Sequence, residues 1–252
     1  MTTSWSDPAV CAGFDEYADI PEQVLGYRTV FNALELARPE RLRVLDYGCG
    51  PGKVSERVAR RFGKPVLAVD SSATMLDIAR RKRPHPLVEY RHISDSLVGL
   101  VEDHSMDVAM TCYVFINIGS EPLIRRIVQE VYRTLKPGGS YAILDTNPDT
   151  TGVEFSTFRN GAPGRRYRHG EQREVLLRVP GKNEHLVLLD HHWPKEMYLS
   201  ALRDAGFRSI DFLQPTLSSL PREEVQPPGP PGVTEWRSEW TTPPFIIFKA
   251  TK

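Results

Sequence analysis

The hydrophobic and polar positions of this chain change rhythm several times, and the changes mark out its elements. Pro21 to Ala37 carries Val24, Leu25, Val30, Phe31 and Leu34 at helical spacing, which predicts an amphipathic helix. Short apolar runs then alternate with helical patterns. Arg43–Tyr47 reads as a first strand with a helix over 52–62, and Pro65–Val69 as a second, whose helix starts at the Ser71-Ser72 cap and ends near Arg83. Val88–Ile93 reads as a third strand, and Asp107–Phe115, apolar almost throughout, as a fourth, buried on both faces. Glu121–Leu135 is helical, with Ile124, Ile127, Val128, Val131 and Leu135 on one side, and Ser140–Leu144 is a fifth strand. Strands and helices alternating in this way predict an α/β fold with a parallel, right-handed, doubly wound sheet.

After residue 145 the rhythm breaks. Glu174–Val179 and Glu184–Asp190 flank Pro180-Gly181 and read as a hairpin. Pro194–Ala205 returns to helix and stops at Gly206, and Arg208–Leu213 and Phe245–Ala250 are the last strands. A proline-rich stretch, 215–244, separates them and reads as an ordered loop or lid. The organisation expected is a single domain over 1–252, with an N-terminal lid and helix (1–40), a core (41–145) and two insertions, 146–193 and 214–244, at the carboxyl edge of the sheet. Ligands of open α/β sheets bind at that edge.

Composition narrows the function. Among 252 residues, 32 basic and 32 acidic side chains cancel, so no global field draws in nucleic acid or an anionic membrane. Cys11, Cys49 and Cys112 are too scattered for a disulfide framework or a metal site. No apolar run approaches the roughly 18 residues that span a bilayer, and the N-terminus lacks the charged and apolar regions of a secretion signal. The expectation is a cytoplasmic enzyme, monomeric or homodimeric, with a small-molecule partner.

The chemistry concentrates in Arg43-Val-Leu-Asp-Tyr-Gly-Cys-Gly-Pro-Gly52. Gly48, Gly50 and Gly52 let the chain turn sharply from the first strand and bring a helix start close to a ligand. Asp46 suits an ammonium group, and Asp70, at the end of the next strand, suits a pair of ribose hydroxyls. A nicotinamide dinucleotide fingerprint would need glycine at 53, where the chain has Lys53.

The acidic-x-Gly-x-Gly-x-Gly pattern of Asp46, Gly48, Gly50 and Gly52 resembles motif I of the class I S-adenosylmethionine-dependent methyltransferases. Asp95, twelve residues before Asp107, and Leu135-Lys136-Pro137-Gly138-Gly139 match the family's later landmarks. The resemblance implies a Rossmann-like, mostly parallel seven-stranded sheet whose last strand is antiparallel. It implies S-adenosyl-L-methionine as cofactor, with its amino-acid end at Asp46, its ribose at Asp70 and its adenine amino group at Asp95. Cys49, Ser71, Met75, Ser96, Thr111 and Cys112, beside these landmarks, complete the expected cofactor contacts. Tyr17 resembles the N-terminal aromatic that many small-molecule members fold over the methyl donor, with packing on the first helix the alternative.

Tyr113, Phe115 and Asn117, at the end of the fourth strand, and Trp193 are the expected substrate contacts. His191 and His192 are the candidates for a general base, either surface-facing or catalytic. Thr111-Cys112-Tyr113-Val114-Phe115 stands where base-modifying enzymes carry Asn/Asp-Pro-Pro-Tyr/Phe, which speaks against a nucleic-acid substrate. The tail, from Trp193-x-x-Glu-x-Tyr198 to Phe248-Lys249, is similar in layout to natural-product enzymes that N-methylate toxoflavin-type azapteridines. The function expected is methyl transfer to nitrogen or oxygen of a small heterocyclic or aromatic metabolite in natural-product biosynthesis. The alternatives are methylation of protein or tRNA, or a catalytically inactive regulator that binds the cofactor.

Overall fold

The computed structural model describes residues 3–94, 96–221, 225 and 235–252. Asp95 and much of the proline-rich insertion lie outside them. Ten strands are present among the described residues: β1 Val44–Tyr47, β2 Val66–Asp70, β3 Val88–His92, β4 Met106–Cys112, β5 Leu135–Thr146, β6 Phe158–Asn160, β7 Gln172–Arg178, β8 His185–His191, β9 Arg208–Leu213 and β10 Phe245–Thr251. The α-helices are α1 Pro8–Glu16, α2 Arg28–Ala33, α3 Lys53–Phe62, α4 Ala73–Lys82, α5 Glu121–Thr134 and α6 Lys195–Ala205.

Seven strands form one sheet in the order β3-β2-β1-β4-β5-β10-β9. The first five are parallel, while β10 runs antiparallel to both β5 and β9. Successive residues of β1 feed opposite faces: Val44 joins the core under α2 and α3, and Leu45 joins the core under α5 and α6. The order reverses direction between β1 and β4, which opens a crevice above their carboxyl ends.

Local chemistry fixes the boundaries. The Asp7 carboxylate accepts from the Ala9 and Val10 amides, and Pro8 occupies the first turn, so α1 forms where no helix was expected. The helix expected over Pro21–Ala37 divides into a π-helical turn, Glu22–Tyr27, and α2; it stops at Leu34, and Glu35 follows with φ 53°. The fourth strand does not reach Phe115. It ends at Cys112 because Tyr113 adopts φ 57°, and Phe115–Asn117 closes into a 3₁₀ turn.

The expected hairpin is β7–β8, in register from Gln172↔His191 to Arg178↔His185, and β6 extends it to three strands. Its burial alternates: Arg173, Val175 and Leu177 point inward on β7, Leu188 and Asp190 on β8. The sheet thus lays one face over the crevice. Part of the second insertion is fastened to it by the buried Glu239, whose carboxylate accepts from the Ser156 amide (2.6 Å), the Ser156 hydroxyl and the Arg237 amide (2.9 Å).

Candidate active site

The turn after β1 has the shape its glycines allow. A Cβ on Gly48, at φ 76°, would lie 2.3 Å from Val114 Cγ2, so the position is closed by packing as well as by backbone. Gly50, at φ 52°, differs. A Cβ there would meet no protein atom within 4 Å, because this residue faces open space in the crevice. Gly52 faces Tyr90 rather than the crevice.

Two carboxylates flank the turn. Asp70 Oδ2 accepts the Gly50 amide at 2.8 Å and Oδ1 the Ser72 amide at 2.7 Å, so this side chain holds the turn and the start of α4 together. Each oxygen keeps further acceptor capacity. Burial raises its pKa against the opposing pull of those amides. Asp46 is almost wholly buried, accepts the Ser55 hydroxyl, and is pushed up to about 7 by desolvation.

A cavity of about 360 Å³ runs from this turn to the three-stranded sheet. At the near end its wall includes Asp46, Gly48, Cys49, Gly50, Asp70, Ser71 and Met75. Cys112, Tyr113, Val114 and Asn117 form the middle, and Phe158, Asn160, Val175, Leu177, Leu188 and Asp190 close the far end. The N-terminal segment roofs it. Trp5 Nε1 donates to Asn117 Oδ1 (3.1 Å), and Lys53 Nζ donates to the carbonyls of Phe14 (3.2 Å) and Tyr17 (2.8 Å). Asp15 pairs with Lys82 (2.6 Å) and Arg83 (2.7 Å) of the α4 end.

The far end is aromatic and acidic. Tyr17, Tyr27, Tyr113 and Phe158 line it, with Tyr113 packed edge-on against Tyr27 and Phe245. Tyr17 Oη donates to Glu22 Oε1 (2.8 Å) and shares a hydrogen bond with Thr157 (2.7 Å). Burial pushes Glu22 up to about 8 and Asp190 up to about 7, Arg173 pulling the latter the other way. Three polar atoms on these walls are buried with no hydrogen-bond partner: Glu22 Oε2, Tyr113 Oη and Asn160 Oδ1. Tyr113 also holds its left-handed backbone here, a conformation that concentrates at ligand sites.

Several expected site residues lie off the cavity wall. Thr111 points below the sheet and shares a 2.7 Å hydrogen bond with Tyr141. Phe115 is buried against Tyr198 in the opposite core, a consequence of the chain turning at Tyr113. Trp193 is buried too, its Nε1 donating to the carbonyls of Phe115 (3.0 Å) and Ile118 (3.1 Å), so it shapes the floor from behind. Ser96 accepts the Val98 amide. His191 packs over Gly119, and His192, one residue past the end of β8, lies beside Arg173 and Tyr167 and is not part of the cavity wall. Burial and the Arg173 charge push His192 down to about 4.

Sequence reasoning passed over Glu22, Asn160 and Asp190. Asp190 ends the expected strand Glu184–Asp190, whose alternation could have found it; Glu22 and Asn160 carried no periodic signal. Among the described residues no group of three or more His, Cys, Asp or Glu side chains could hold a metal, and no helix is long and apolar enough to cross a membrane.

Comparison with known proteins agrees with this geometry. The family described as a methyltransferase domain matches residues 44–139. The N-demethylindolmycin N-methyltransferase of Streptomyces griseus is 37% identical over 206 residues, covering 81% of this chain and 84% of the relative. The indolepyruvate C-methyltransferase of the same organism is 30% identical over 153 residues, 57% of this chain and 44% of the relative. Among solved structures, an S-adenosylmethionine-dependent methyltransferase from Mesorhizobium loti shares the fold, with TM-score 0.55 at 22% identity over 88% of this chain and 97% of that one.

Proposed function

Because the chain belongs to the class I S-adenosylmethionine-dependent methyltransferases of small-molecule type, we propose that it methylates a nitrogen or oxygen of a small heterocyclic or aromatic metabolite in natural-product biosynthesis. The observation that carries this reading is one continuous cavity with a nucleoside-type end at the glycine turn and an aromatic end at the three-stranded sheet.

The cofactor end suits its ligand. Gly50 leaves open space where any side chain would intrude, and Asp70 retains acceptor capacity for ribose hydroxyls. Asp46 would face the amino-acid end, with Cys49, Ser71, Met75 and Cys112 as neighbouring wall; Asp95, expected at the adenine, lies outside the described residues. When bound, the sulfonium supplies an activated methyl group. The remaining work falls to the protein: to orient the acceptor, exclude water and receive a proton. The roof of Trp5 and Tyr17 excludes water, and the aromatic walls orient a flat acceptor. At the acceptor end, Asp190, lifted to about 7 by burial, can take up a proton near pH 7, whereas Glu22, lifted to about 8, does so only once ionised. The enzyme would act in the cytoplasm, as a monomer or homodimer.

Incubation with methyl-labelled S-adenosylmethionine and a metabolite extract tests the reading. Label should enter the small-molecule fraction. Label found solely in protein or RNA would overturn it, and cofactor binding without any transfer would favour an inactive regulator.

A further inference from the structure

The far end of the cavity has a chemistry that the family assignment does not supply. Its polar groups come from three separate elements: Glu22 from the π-helical turn, Tyr113 from the end of β4, and Asn160 and Asp190 from the inner face of the β6–β8 sheet. Glu22 Oε2, Asn160 Oδ1 and Tyr113 Oη are each buried without a partner, and two of these atoms belong to acceptor groups. A buried polar atom left unpaired is costly, so three on one cavity wall mark where a ligand's own polar groups complete the bonding.

The cations near this end are engaged elsewhere. Arg57 makes two bonds to Asp19, at 2.8 and 2.9 Å. Lys53 donates to two carbonyls of the roof, and Arg173, which donates to Thr146 Oγ1 at 2.7 Å, offsets only part of the burial of Asp190 opposite it. The two buried carboxyls therefore dominate what a ligand meets.

We propose that Glu22 and Asp190, with Asn160, make this end a recognition site for a basic nitrogen: the methyl acceptor is an aromatic molecule carrying an amine or amidine, and anionic analogues are rejected. The inference rests on reading the far end as the acceptor site. The walls of Tyr17, Tyr27, Tyr113 and Phe158 would take the ring and, through cation–π attraction, favour its positive charge. A carboxylate acceptor would shed its hydration among largely neutral carboxyls with no cation of the wall left to pair with it, which is the discriminating half of specificity.

The groups facing Glu22 are Tyr17 and Asp19 ahead of it, Tyr27 on its own turn, Lys53 and Arg57 from α3, and Tyr113 from β4. Burial keeps the Glu22 carboxyl neutral below about pH 8 when no ligand pairs with it. An ammonium ligand favours the ionised form, so binding releases a proton and strengthens as pH rises toward that value.

The test is calorimetry on the full chain saturated with S-adenosylhomocysteine, using three indole probes that differ chiefly in the group ending a two-carbon chain: tryptamine, tryptophol and indole-3-propionate. Tryptamine should bind at least about tenfold tighter than tryptophol, and indole-3-propionate weakest of all. Between about pH 6 and about pH 8 the tryptamine affinity should rise, by up to about tenfold per unit. Glu22→Gln should flatten the slope between about pH 7 and about pH 8 and weaken tryptamine about tenfold or more, while S-adenosylhomocysteine binds as before, which also shows that the variant is folded. Asp190→Asn should weaken tryptamine and reduce the slope below about pH 7, leaving the slope above it in place. Equal binding of the acid, an amine affinity unmoved by Glu22→Gln, or no amine binding to the loaded protein would each overturn the inference. Failure of S-adenosylhomocysteine itself to bind would instead bring down the reading of the cavity on which it rests.

Discussion

The two ends of the cavity are built from different materials. The near end is mostly backbone: a turn whose shape depends on glycines at 48 and 50, amides held by Asp70, and a helix start beside them. The far end is mostly side chain: rings and carboxyls brought together from the π-helical turn, the end of β4 and the β6–β8 sheet. A backbone site tolerates almost no substitution and is written in a few consecutive residues. A side-chain site can be rebuilt residue by residue on an unchanged frame, which suits a surface that sets the choice of acceptor.

The glycines give the sharpest way to break this contrast. Gly48→Ala should destabilise the fold by about 3 kcal/mol, combining the left-handed backbone penalty with the clash against Val114, and should lose the cofactor as well. Gly50→Ala should cost only about 1–2 kcal/mol of stability, yet still weaken S-adenosylhomocysteine more than about tenfold, because its methyl group enters ligand space and not protein. Denaturant unfolding and calorimetry separate the two effects. If the Gly50 variant binds normally, this residue does not face the cofactor.

Asp70→Asn probes the same end more gently. The amide side chain keeps one acceptor oxygen but loses the charge, so cofactor affinity should fall by about 2 kcal/mol. Calorimetry with S-adenosylhomocysteine checks this, and an unchanged affinity would remove Asp70 from the ribose.

The difference in material also decides what the sequence disclosed. Asp46, Gly48, Cys49, Gly50, Asp70, Ser71 and Met75 lie on the cavity wall because contiguity in the chain is contiguity at a strand-to-helix turn. The strands of the seven-stranded sheet were legible for the same reason, each announcing itself locally, whereas the antiparallel course of β10 was implied by the family resemblance alone. The far end was not. Glu22 lies in a turn whose π-helical form the helical stripe conceals, and β6 spans three residues and has no period of its own. Tyr113 and Asn117 were placed on the wall, but Phe115 between them was lost, because a left-handed residue 113 reverses the alternation that an unbroken strand would have kept.

The far end should also show itself in stability. Glu22 and Asp190 have folded pKa values raised above those of an unfolded chain, so the unfolded state holds fewer of their protons at neutral pH. Stability without ligand should therefore decline as pH rises from about 5 to about 8, the reverse of a paired carboxylate. Asp190→Asn should soften that decline and gain about 1 kcal/mol at about pH 8, the lost attraction to Arg173 offsetting part of the relief. Thermal unfolding across pH measures it. A wild-type profile rising over that interval would mean that both carboxyls are ionised and paired.

The smallest effect expected falls on the histidine the sequence brought forward. His192 lies beside Arg173 and Tyr167, its backbone amide bound to the Glu171 carbonyl at 2.8 Å, one residue past β8 and off the cavity wall. Burial and the Arg173 charge hold it neutral down to about pH 4, so its titration would not shape activity between about pH 6 and pH 8. A general base in contact with the acceptor contributes about 10²–10⁴-fold to the rate. His192→Gln should instead leave the methyl-transfer rate within about twofold and its pH profile in place, since glutamine preserves a polar neighbour for Arg173. A drop of a hundredfold or more would return His192 to the reaction, and would require the chain just after β8 to turn toward the acceptor when the cavity is filled.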